Sequence, residues 1–214
     1  MSDIFQEVDE AVRHEEYLKL WKKYRYAIIG VVLAIVAAVA GYEGWKYYSA
    51  EQRKANSERY ATAIEALNGA DEAAAESALG EVVEAAPSGY GVLASFRLAE
   101  QKDEAGDTAG AVADLEALAG RSGVPQPLRD IASFQAILYQ ADEGDPAALE
   151  GALAPLAREG SALRPSALEL TAFLALKQGE TARARETFQQ LAEDPATPSG
   201  IRRRATQMLA QIGE

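Results

Sequence analysis

The sequence predicts an all-α protein. One membrane-spanning helix is followed by a stack of about four helical hairpins and a C-terminal capping helix. Three observations predict this. Residues 26–42, YAIIGVVLAIVAAVAGY, contain no charged side chain. The remainder is rich in Ala, Leu and Glu and poor in β-branched and aromatic residues, a mix that favours helix over strand. A Gly–acid step, followed at four-residue intervals by an Ala or Leu and then a large apolar residue, returns every 35 to 38 residues.

The first element is the N-terminal tail, residues 1–25. Asp3 with Gln6 three residues on makes a weak capping box, and Ile4, Phe5, Val8 and Val12 supply an apolar stripe that Leu18, Trp21 and Tyr24 continue. A helix over 3–24 is expected, either lying on the membrane face or solvated.

The span follows, at 26–45. At about 1.5 Å per residue, its apolar core covers roughly 25 Å, the short end of what crosses a bilayer. Trp21, Tyr24 and Tyr26 precede it, and Tyr42, Trp45, Tyr47 and Tyr48 follow, as rings that favour the headgroup layer would. A buried core helix would keep a polar stripe, which is missing here. Ala38-Val39-Ala40 has the form of a signal-peptide cleavage site, but the preceding tail is long and acid-bearing, and the aromatic flank continues beyond. Lys19, Lys22, Lys23 and Arg25 crowd the near side of the span, against Lys46 alone at a similar distance beyond. This bias sets the N-terminus in the cytoplasm and the body outside, which for a bacterial inner membrane is the periplasm. Gly30, Ala34, Ala37 and Gly41 share one face of the span, narrow enough for another helix to approach closely.

The body is expected over 46–214. Helical signals run through 43–68 with only Gly44 to interrupt, so the spanning helix can continue into the first body helix. Gly106-Asp107, Ala111 and Leu115 make one repeat unit; Gly144-Asp145, Leu149 and Leu153 a second; Gly179-Glu180, Ala184 and Phe188 a third. A weaker unit has Gly69, Asp71, Ala75 and Leu79. In each, the Gly is expected to close one helix in the left-handed conformation, and the acid to open the next. Small residues bring the two helices close. Leu115, Leu118, Leu153, Leu156, Phe188 and Leu191 then fill the space between repeats, giving a right-handed solenoid. Pro125, Pro165 and Pro198 sit near helix starts, where proline is tolerated. The expected helices are 50–68, 71–86, 88–105, 107–121, 125–143, 145–158, 163–178, 180–193 and 199–212. In the last, Ile201, Ala205, Met208, Leu209 and Ile212 dock, while Arg202, Arg203 and Arg204 face mainly water.

The tail IFQEVDEAVRHEEYLKLWKKY, the single span and the GD-x-x-x-A repeats, in this order, resemble the tetratricopeptide-like ancillary subunit family of the bacterial Sec translocon. The resemblance covers nearly the whole chain. The wider family includes a periplasmic cell-division coordinator. It implies a single-pass inner-membrane protein whose repeat domain is periplasmic and whose partners are the translocon and periplasmic chaperones. The Trp and Tyr usual in the first helix of the strict repeat are replaced here by Leu98, Ala99 and Phe134. The helical stack is unaffected, but a standard peptide-tail groove is not implied.

No catalytic constellation stands out. The one histidine, His14, lies in the tail beside Arg13, Glu15 and Glu16, and reads as solvated. With no Cys and no other His, a nucleophile–base pair is missing, as is a Gly-rich phosphate loop. The adjacent acids Asp103-Glu104, Asp142-Glu143 and Glu193-Asp194 fall at helix ends beside Gly or Pro and read as turn residues. The expectation is no enzyme, no cofactor, no metal and no small-molecule substrate. A net charge of −12 argues against nucleic acid. Between Glu65 and Glu116 stand twelve acids and two bases, Arg97 and Lys102, whereas Arg183, Arg185 and Arg202 to Arg204 make the end locally basic. The acidic half either steers a basic partner or keeps the surface soluble. The function expected is a membrane-tethered interaction scaffold at the translocon. The alternatives are a holdase-like periplasmic chaperone and a cell-envelope or division coordinator.

Overall fold

The computed structural model describes residues 3–69, 71–86 and 89–213, with side chains from residue 21 onward. Among them are nine helices and no strand: α1 Asp3–Leu67, α2 Glu72–Ala85, α3 Tyr90–Glu104, α4 Thr108–Ala119, α5 Gln126–Tyr139, α6 Pro146–Leu153, α7 Arg164–Lys177, α8 Thr181–Glu193 and α9 Ser199–Ile212. The chain divides into two compact units, Met1–Ala55 and Asn56–Glu214.

In the first unit the backbone is one continuous helix. The tail, the apolar stretch and the following residues all belong to α1, and Gly44 does not break it. The segment from Trp21 on is long and apolar enough to cross a membrane, and none of its most apolar window is buried. Its large apolar side chains are 45% exposed or more, from Ile28 at 45% to Tyr47 at 75%. That exposure disposes of the core-helix reading, because a core helix must bury these groups against its own protein. The side-chain expectations for Ile4, Phe5, Val8, Val12, Leu18 and His14 lie outside the described residues.

In the second unit, consecutive helices pack against each other in antiparallel hairpins. The α3 helix pairs with α4, α5 with α6, and α7 with α8, and α9 covers the last pair, while Ala63 at the end of α1 shares an apolar cluster with Leu79 and Val82 of α2. The apolar core is built in segments. Val92, Ala99, Ala111, Leu115, Leu118, Ala132 and Ala136 join α3, α4 and α5. Ile137, Leu149, Leu153, Leu156, Leu170 and Leu174 join α5, α6 and α7. Ala172, Ala175, Ala184, Phe188, Leu191, Ile201 and Ala205 join α7, α8 and α9. Each cluster draws on three successive helices, which is the nearest-neighbour logic of a repeat array.

Two helices are shorter than their sequence pattern suggests. The α5 helix stops at Tyr139 rather than 143, and α6 at Leu153 rather than 158. After Tyr139 the chain makes turns through Gly144. After Leu153 it turns again, and Gly160 takes φ +83°. Leu156 lies in this second turn segment yet is still buried, so the apolar periodicity there reports burial and not helix.

Candidate interaction surface

The repeat turns are built from two kinds of glycine. Gly106 has φ +86°. Its N–H donates to Asp103 O at 2.9 Å, and the Asp107 N–H donates to Lys102 O at 2.8 Å. These are the two bonds of a Schellman closure. Gly179, at φ +77°, repeats the pattern, with its N–H to Leu176 O at 3.0 Å and the Glu180 N–H to Ala175 O at 2.9 Å. Gly144 departs from the expectation, because its φ is not positive. It lies beyond the end of α5, and its N–H donates to Gln140 O at 2.7 Å. A Cβ there would meet Gln140 O at 2.8 Å and Leu149 Cδ1 at 3.1 Å. This glycine answers to crowding and not to backbone handedness.

The acids after these glycines also divide. Asp107 accepts from the Gly110 N–H at 2.9 Å and Asp145 from the Ala148 N–H at 3.0 Å, and Asp71 does the same for Ala74 at 3.1 Å. Three helices are thus capped by an Asp side chain. Glu180 stands in the corresponding place but does not cap α8. Its longer side chain reaches Arg183 Nε at 2.8 Å instead. The apolar members of the repeats are placed inside: Ala111, Leu115, Leu153, Ala184 and Phe188 are fully buried, and Leu149 nearly so. The ring of Phe188 meets that of Phe173 edge to face, with centroids 5.3 Å apart.

Polar ties link one repeat to the next, and sequence reasoning missed them. Glu150 of α6 accepts from Arg183 of α8 (Nη1 3.0 Å, Nη2 2.5 Å) and from Gln178 Nε2 at 2.8 Å. Lys177 Nζ donates to the carbonyls of Ala141 (2.8 Å) and Asp142 (2.5 Å), closing the turn after α5. Arg204 is exposed, as expected, but its guanidinium also grips Glu169. In α3, Lys102 Nζ donates to Asp114 Oδ2 of α4 at 2.7 Å, which holds its ammonium above its usual range. The available signal was spacing. Glu150–Arg183, Asp142–Lys177 and Glu169–Arg204 are 33 to 35 residues apart, one repeat length.

The acid pairs do not all behave as bare turn residues. Asp103 accepts from Thr108 Oγ1 at 2.7 Å. Asp103, Asp107, Asp142 and Glu143 line a cleft of about 880 Å³ between the α3–α4 and α5–α6 turns, with Val112 and Tyr139 as its less polar walls. Burial, together with the charges of Asp103, Glu100 and Glu104, pushes the Tyr139 phenol above its usual range, although a hydrogen bond from Gln135 pulls it the other way. No described group of three or more His, Asp or Glu side chains is placed to hold a metal ion.

In the span, Gly30 and Gly41 sit in open surroundings, since a Cβ at either would meet nothing within 4 Å. Ala34 and Ala37 lie between them and are exposed.

Helical hairpins stacked through neighbour-only cores, with a helix able to cross a bilayer at the N-terminal end, define a helical-repeat protein. The family model of the tetratricopeptide repeat-like domain matches residues 19–211, and the chain belongs to that family. The match begins ahead of the apolar stretch, so that stretch lies within the family's own extent. No curated protein and no solved structure matched the chain.

Proposed function

We propose that this protein is a non-enzymatic, membrane-tethered scaffold that binds other proteins, working beside the Sec translocon and linking it to periplasmic chaperones or exported clients. One observation carries the reading: a tetratricopeptide repeat-like match that takes in both the apolar segment and the helical body on one chain. Repeat domains of this kind are interaction modules, with extended surfaces assembled from successive hairpins. Tethering holds such a surface at high effective concentration next to a membrane partner. The basic residues Lys19, Lys22, Lys23 and Arg25 favour an N-terminus in the cytoplasm and a body in the periplasm. The translocon as partner rests on the likeness of tail, span and repeats to that ancillary family. The Gly30–Ala34–Ala37–Gly41 face would be the contact within the bilayer.

Photo-crosslinkers at Gly30, Ala34 and Gly41, activated in native membranes, test this. A spanning helix of the translocon should be trapped. Recovery of no membrane protein would overturn the scaffold reading. A phosphatase fused at the C-terminus should be active, and an inactive fusion would reverse the topology.

A further inference from the structure

We infer that the outward faces of α3, α5 and α7 form a docking strip for an amphipathic, net-basic helical segment of a partner protein. The inference deepens the scaffold reading and rests on it. Among the described residues of Asn56–Glu214, the large apolar side chains left exposed are Leu93 (47%), Ile131 (40%), Leu138 (49%) and Phe173 (36%). All four lie on the first helices of hairpins, and none on α2, α4, α6 or α8.

Their register is shared. The step that carries Gly106 onto Gly144 carries Leu93 onto Ile131, and the step from Gly144 to Gly179 carries Leu138 onto Phe173. Equivalent positions in neighbouring repeats fall side by side. The three helices are joined through shared cores: Phe96 and Ala99 of α3 lie in one with Ala132 and Ala136 of α5, while Phe134 and Ile137 of α5 lie in one with Leu170 and Leu174 of α7. Along α5, Ile131 and Leu138 stand two turns apart on one side, about 10 Å. The result is an apolar strip crossing three helices, of a size that one face of a short helix covers.

Charge selects the occupant. The strip is bordered at the C-terminal end of α3 by Glu104 and just past that of α5 by Asp142 and Glu143, all three exposed. Two nearby bases are already neutralised, Arg97 by Glu100 (2.6 Å) and Lys102 by Asp114, which leaves Lys177, held on the Ala141 and Asp142 carbonyls, as one positive charge against these three acids. An apolar strip under such a negative border admits a helix that carries Lys or Arg beside its apolar face and disfavours an acidic one.

The test uses the full-length chain in zwitterionic nanodiscs, with empty nanodiscs as blank. The probe is a labelled 18-residue peptide of Leu and Lys patterned to give one apolar helical face. Its counterpart has Glu for every Lys. By fluorescence anisotropy the Leu/Lys peptide should bind, more weakly as salt rises, and the Leu/Glu peptide at least tenfold less tightly. Ile131→Gln with Leu138→Gln should weaken the Leu/Lys peptide tenfold or more while circular dichroism is unchanged. A photo-crosslinker at Leu138 in the otherwise native chain should trap the peptide whether or not that double variant folds. Unchanged binding by a folded double variant, or no crosslink, overturns the inference. Equal affinity for both peptides overturns it in favour of an apolar-client surface. Self-association of the chain that the double variant abolishes overturns it in favour of a second copy. If span crosslinks persist while the Leu/Lys peptide does not bind, the strip fails and the scaffold stands. If the native chain traps nothing at either place, both fail.

Discussion

Arg204 of α9 holds Glu169 of α7 by a two-pronged contact, Nε to Oε1 at 2.7 Å and Nη2 to Oε2 at 2.6 Å. The carboxylate side chain is only 11% exposed, while the arginine is half in water. The pair fastens the terminal helix to the helix one repeat earlier, beside the apolar contacts of Ile201 and Ala205. Arg204→Ala strands a nearly buried carboxylate, and should cost about 1–3 kcal/mol, discounted from the fully buried case by the exposure of the arginine. Arg204→Lys should fall between, because an ammonium cannot reproduce the fork. Urea unfolding of the three proteins measures this. A midpoint for Arg204→Ala equal to that of the native chain would mean that the apolar contacts alone hold α9.

Gly106 and Gly144 stand at equivalent places but should respond differently to substitution. At Gly106 the backbone has φ +86° and nothing lies within 4 Å of an added Cβ. The cost of Gly106→Ala is conformational, about 1 kcal/mol, and Asn, which tolerates this region, should be milder than Ala. At Gly144 the obstacle is Gln140 O, 2.8 Å from the added Cβ. Asn therefore offers no relief there, and Gly144→Asn should be at least as damaging as Gly144→Ala. Thermal melts of the four variants decide it. An Asn that rescues at both positions, or at neither, would refute the distinction.

The apolar pattern carried the architecture because each repeat buries its residues against immediate neighbours. Ala111, Leu115, Ala184 and Phe188 recur with helical spacing, and that spacing alone marks one face. Helix ends were legible where a local device makes them: Asp71, Asp107 and Asp145 cap within three residues, and Gly106 and Gly179 close with local bonds. They were illegible after Tyr139 and Leu153, where turns bury apolar side chains such as Leu156 without helical backbone. The ties Glu150–Arg183 and Glu169–Arg204 were hidden for a different reason. Read locally, each charge looks solvated, and a partner one repeat away is visible only once the stacking is known. The exposed strip of Leu93, Ile131, Leu138 and Phe173 was hidden likewise, since an isolated apolar residue in sequence looks like core.

The core of the last repeats offers a graded series. Phe188 is fully buried and meets Phe173 edge to face. Phe188→Ala should cost about 3–5 kcal/mol through lost burial and the cavity left behind, and Phe188→Leu markedly less. At the fully buried Ala184, the reverse change to Leu should also destabilise, by about 1–3 kcal/mol, because the helices have no room to part. Denaturant titration gives both values. Tolerance of Ala184→Leu would show that α8 packs more loosely than its burial implies.

Alkaline pH should loosen the α3–α4 hairpin in a way that Lys102 controls. The hydrogen bond to Asp114 holds the Lys102 ammonium above its ordinary value of 10.5, against the opposing effect of burial. A base whose folded value is raised stabilises the fold fully below its unfolded value, and that contribution fades as pH climbs through the folded one. Tyr139 acts with the same sign: burial raises its phenol above 10.0, so the folded chain resists its ionisation and loses stability once it ionises. Stability should therefore show no contribution from either group's titration between pH 7 and about 9.5, and decline above that. Lys102→Gln should lose about 0.5–1 kcal/mol at pH 8. The gap between it and the native chain should close as pH rises past 10.5, because the native lysine is then losing the charge the variant never had. Urea midpoints for both proteins from pH 7 to 11 measure the gap. A gap that stays constant across that range would place the effect of Lys102 in the packing of its alkyl chain and not in its charge.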